Sequence, residues 1–90
     1  MAYQPTMGVD HSVVVGVRAD TKTVEQVWVR TDGVMTGLGR THRAASARDA
    51  LEEAGRVFGL EQAKEFPIYR MEAAKDYRAA LQRLLNTGQP

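Results

Sequence analysis

The chain has 90 residues, of which 43% are apolar and 26% charged, and its 12 basic and 11 acidic side chains leave a net charge of +1. That length supports one domain with a modest core and leaves little room for a deep enclosed site. The charge balance excludes long-range attraction to polyanions or an anionic membrane, and the absence of cysteine excludes disulfides, thiolate metal sites and a cysteine nucleophile.

The first stretch, MAYQPTMGVDHS, has neither the basic start nor the apolar segment of a secretory signal. No apolar run is long enough to span a bilayer. The expectation is a cytoplasmic protein without membrane contact. Residues 1–11 read as a flexible N-terminal arm, 12–86 as a single α+β domain and 87–90 as a C-terminal tail.

SVVVGVRA, residues 12–19, carries four valines in five positions and predicts a strand. After a polar turn, TVEQVWVRT, residues 23–31, predicts a second. Asp32-Gly33 between alternating residues is a hairpin signal, and a two-residue type I′ turn there sets Trp28 opposite Gly37 and Val29 opposite Thr36. Trp28 would then lie across bare backbone at Gly37. If Val13, Val15 and Val17 share a face with Val27 and Val29, the first loop has an odd number of residues, three or five. The reading is a three-stranded antiparallel meander with the second strand central and the first at an edge.

Two helices complete the pattern. Ser46 with Asp49 three residues on resembles a capping box. Ala47, Ala50, Leu51, Ala54, Val57 and Phe58 recur at helical spacing, and Gly59 stands where a helix ends. Residues 60–68 read as a connector stopped by Pro67. The last helix is predicted from about Tyr69 to Asn86, with Met71, Ala74, Tyr77, Leu81, Leu84 and Leu85 as its apolar stripe. The predicted architecture is β-β-β-α-α, with both helices on one face of the meander.

No stretch carries a catalytic signature. Gly39-Arg40-Thr41 imitates the end of a P-loop, but the glycine required five residues earlier is Val34 and the lysine is an arginine. Asp10-His11-Ser12 are neighbours in sequence, whereas a triad is a spatial arrangement. Asp49, Glu52 and Glu53 fit a solvated helix face. The two histidines, His11 and His42, have no ligand spacing. The expectation is a non-enzyme with no catalytic residues, no cofactor and no metal.

Two surfaces remain. With the helices on the valine face, the opposite face would show Val14, Trp28 and Met35 rimmed by Arg18 and Arg30. These include residue types enriched at protein interfaces. The leading expectation is therefore a small protein–protein interaction module, an adaptor or inhibitor. It would self-associate as a homodimer through the first strand or the Trp28 face. The alternative is a nucleic-acid or phosphate-binding module using Arg40, His42, Arg43 and Arg48 beside a helix N-terminus.

Overall fold

Val13, Val14, Val15, Gly16 and Val17 are all buried, which requires cover on both faces of their strand and neighbours on both of its edges. The computed structural model, which describes residues 11–87, supplies both. Strand β1 (His11–Arg18) lies between β2 (Thr23–Arg30) and β5 (Leu60–Pro67). Strands β3 (Val34–Gly37) and β4 (Arg40–Arg43) extend the sheet beyond β2. The spatial order is β4-β3-β2-β1-β5, and every neighbouring pair is antiparallel. Helix α1 (Ala50–Phe58) follows β4, and α2 (Met71–Thr87) follows β5. The order along the chain is β-β-β-β-α-β-α.

The fold is α+β with an antiparallel sheet and two helices, as the sequence implies. The sheet has five strands rather than three, and the helices lie on opposite faces rather than one. The cause is parity. Arg18 pairs with Thr23, so four residues, Ala19–Lys22, form the first loop where an odd number was expected. Lys22 takes a left-handed φ of 59°, and its N–H returns to the Arg18 carbonyl at 2.8 Å. Val13 therefore stands opposite Trp28, and Val14 opposite Val27.

The valines consequently divide. Val14, Val27, Val29 and Met35 pack with Ala50, Ala54, Phe58 and Leu60 under α1. Val13, Val15, Val17 and Val24 pack with Phe66, Ala74 and Leu81 under α2. A sheet buried on both faces reads as a continuous valine run, not as an alternation.

Asp32-Gly33 does make a hairpin, but with a three-residue loop. Val29 pairs with Met35 and Trp28 with Thr36, one residue off the predicted register. Gly33, at φ 91°, donates its N–H to the Arg30 carbonyl at 2.9 Å, and it alone in that loop has positive φ. This is the three-residue turn ending in a left-handed residue, a conformation that glycine adopts without steric cost. The shift moves Trp28 off Gly37 and turns Met35 into the core, where it is fully buried.

The type I′ geometry occurs one hairpin later, at Leu38 (φ 53°) and Gly39 (φ 74°). It carries the chain into β4, so Arg40, His42 and Arg43 stand on a strand. Leu38 holds this unfavourable conformation because its side chain packs against the α1 core.

The predicted connector is β5. A bulge between Val15 and Val17 adds one residue to β5, with Gln62 at φ 54°. It reverses the strand's facing, so Phe66 points to α2 and Leu60, six residues away, to α1. Gly16 opposes the bulge. A Cβ there would stand 3.0 Å from the Glu61 carbonyl oxygen, so a side chain would press on the β5 backbone.

Helix α1 is preceded by a 3₁₀ turn, Ala47–Asp49. The Ser46 hydroxyl donates to the Asp49 carboxylate at 3.1 Å instead of capping an N–H. Gly59 ends the helix in the left-handed conformation (φ 66°), as its position suggests. The arm and tail predictions for 1–10 and 88–90 lie outside the described residues. His11 and Thr87, assigned to them, belong to β1 and α2.

Candidate functional site

Helix α2 packs across β5, β1 and β2. Beyond it, the same face of the sheet continues over β3 and β4. Alternation sets which side chains stand there. Trp28, Thr36 and Thr41 form one row across β2, β3 and β4, and Val34 and Arg43 are paired in the next, in line with Arg30. Trp28 is 38% exposed, Arg30, Thr36, Thr41 and Arg43 are exposed, and Val34 is half-buried.

The charges around Trp28 come from three elements. Arg30 lies two residues along β2, and Arg43 projects from β4. Arg78 of α2 donates from Nη1 to the Gln26 Oε1 at 3.1 Å, which fixes its guanidinium two residues from Trp28 on the other side. Asp32, in the turn, is bound by Arg30 through Nη2 at 2.6 Å and Nε at 3.2 Å. The Arg30 hydrogen bond above all, opposed by desolvation and helped by the Val34 N–H and the charges of Arg30 and Arg43, holds the Asp32 carboxyl down to about 2. A shallow hollow of ≈ 280 Å³ lined by His11, Arg30, Thr31 and Asp32 adjoins this end of the face.

Of the predicted interface residues, only Trp28 and Arg30 meet. Val14 and Met35 are fully buried under α1 and cannot form a surface. Arg18 points to the α1 side, where it pairs with Asp20 at 2.9 Å. The first strand is central and has no free edge for a partner; the edges are β4 and β5.

The predicted basic group is divided too. Arg40 and His42 face α1. The Arg40 guanidinium stacks 5.1 Å above the Phe58 ring and donates to the Val57 carbonyl at 3.0 Å. His42 Nε2 lies 3.2 Å from Glu53 Oε1, which also receives Arg56 at 2.8 Å. Arg48 is exposed in the 3₁₀ turn. Arg43 alone joins Trp28. The site thus takes members from both predicted groups and adds Thr36, Thr41 and Arg78. Only the correct hairpin register could have revealed the two threonines, and only the sheet face that α2 covers could have revealed Arg78.

Ser12 of the Asp10-His11-Ser12 stretch donates to Glu65 at 2.5 Å, and Asp10 lies outside the described residues. Among the described residues no cluster of three or more histidines or carboxylates is placed to hold a metal ion. No helix among them is long and apolar enough to cross a membrane. The chain matches no known family model, and neither the curated proteins nor the solved structures contain a match to it.

Proposed function

We propose that the protein is a non-enzymatic binding module that takes single-stranded nucleic acid on the outer face of β2, β3 and β4. One observation carries this reading: Trp28 is part-exposed on the sheet face beyond α2, among Arg30, Arg43 and Arg78, and the nearby Asp32 carboxylate is held by Arg30. An indole offers a base a stacking surface whatever its sequence, worth about 1–3 kcal/mol per base. Guanidinium groups on either side suit the phosphates that flank a stacked base. Thr36 and Thr41 supply hydroxyls along the same row. A sheet face reads unstacked bases, whereas duplex grooves call for a protruding helix or ribbon.

A protein partner suits this surface less well. Four of its exposed groups are charged, and the bordering edge strand β4 is only four residues long with an arginine at each end. That composition opposes pairing between chains.

Trp28 is the only tryptophan, so its fluorescence reports on the surface directly. Titration with an oligothymidylate should quench it. Three phosphate contacts predict a log–log salt slope near −2, hence a roughly 15- to 20-fold loss of affinity between about 50 and 200 mM salt. Trp28→Ala, followed by anisotropy of a labelled oligonucleotide, should weaken binding about 5- to 150-fold. Absence of binding, together with a concentration-dependent dimer that Trp28→Ala dissolves, would overturn the reading in favour of a protein interface.

A further inference from the structure

On the opposite side of the sheet, where α1 ends, the structure forms a second basic site. We propose that this cleft binds a small phosphate-bearing molecule. It has a volume of ≈ 550 Å³, within the range of small-molecule sites. Arg18 from β1, Arg40 from β4 and Arg56 from α1 all line it, and Asp20 is its only carboxylate.

Arg40 is held in place before any ligand arrives. The Phe58 ring lies beneath its guanidinium, and the Val57 carbonyl takes one N–H. Arg56 is tied to Glu53 and Arg18 to Asp20. Each guanidinium has five N–H donors, and these contacts leave most of them over. The carbonyls at the end of α1 do not repel an incoming anion at full strength. Val57 is covered by Arg40, and the Gly59 carbonyl accepts the Ala19 N–H at 2.9 Å.

Phosphate suits such a set better than a monocarboxylate, because three guanidinium groups can share three oxygens. The volume exceeds that of a bare phosphate ion, and Leu38 and Val57 give an apolar wall for the ligand's body. The site is separate from the Trp28 face, since Arg18 and Arg40 project to the α1 side of the sheet.

The test titrates the full chain with inorganic phosphate and with phenyl phosphate. It follows the arginine Nε–H and backbone amide resonances. Saturable shifts are expected at Arg18, Arg40, Arg56 and Gly59, with phenyl phosphate saturating at lower concentration. Arg56→Gln, at an exposed position, should weaken binding about tenfold, the loss of one charge-assisted hydrogen bond. Arg40→Gln should do at least as much. Trp28→Ala should change it by less than about twofold, as for a distant site. That control separates this inference from the nucleic-acid reading. Linear, non-saturating shifts, shifts gathered at Arg30 and Arg43, or no advantage for phenyl phosphate would overturn it.

Discussion

Asp32 joins local structure to the candidate surface. Its carboxylate accepts two hydrogen bonds from Arg30, and one of its oxygens receives the Val34 N–H at 3.3 Å, so one side chain braces the turn and orients the arginine beside Trp28. Because its folded value lies below the ordinary 3.8, the stabilisation is complete above that value and lost as pH falls through about 2. A carboxyl carbon NMR titration should place the Asp32 midpoint near 2, and Arg30→Gln should return it towards 3.8. A midpoint already ordinary in the unaltered protein would deny the pair. Trp28, 38% exposed, belongs to neither buried apolar cluster, whereas Phe58 is a member of one. Trp28→Ala should therefore cost less in unfolding free energy than Phe58→Ala, for which about 3–5 kcal/mol is expected from urea melts.

At the scale of elements, the bulge in β5 decides which helix each end of that strand serves. Gln62 sits there in the left-handed region, and the Tyr77 hydroxyl donates to its carbonyl at 2.5 Å. A β-branched residue tolerates that conformation poorly. Gln62→Val should destabilise the fold by about 1–3 kcal/mol in denaturant unfolding, whereas Gln62→Gly should be close to neutral. Equal losses for the two would remove backbone strain as the cause.

The same elements show what sequence reasoning could reach. Asp32-Gly33 announces its hairpin because both residue types are turn formers, but the dipeptide does not choose between two and three loop residues. That single residue carries Met35 from the surface to the core and Trp28 from Gly37 to Thr36. Leu38-Gly39 is unreadable as a turn because leucine adopts positive φ only when tertiary packing holds it there. Strand β5 is hidden because Glu61, Gln62, Lys64 and Glu65 are polar. Among the described residues it pairs on one side only, and just Leu60 and Phe66 of its own residues are buried. Helix α2, by contrast, is legible to within two residues because its stripe is long. Arg78 stood on its polar side in the sequence, and its place beside Trp28 depends on which sheet face α2 covers.

At the scale of the molecule, two apolar clusters lie on opposite sides of one sheet and share β1. Val14 belongs to one and its neighbours Val13 and Val15 to the other. Loss of either helix exposes one side of the same strand, so the two halves should unfold together. Phe58→Ala under α1 and Leu81→Ala under α2 should each lower one common transition seen by both circular dichroism and Trp28 fluorescence. The expected costs are about 3–5 and 2–5 kcal/mol. Two separated transitions would contradict a shared core. Among the described residues, the same layout covers the sheet on both faces over β1 and on one face over β3 and β4. This asymmetry gives Trp28 its open side.

The most direct test of the account is a map of amide and indole resonances in the full chain as oligothymidylate is added. The account predicts perturbations confined to Trp28, Arg30, Thr36, Thr41, Arg43 and Arg78, fading as salt is raised. Perturbations centred on Arg18, Arg56 and Gly59, or none at saturating oligonucleotide, would contradict it.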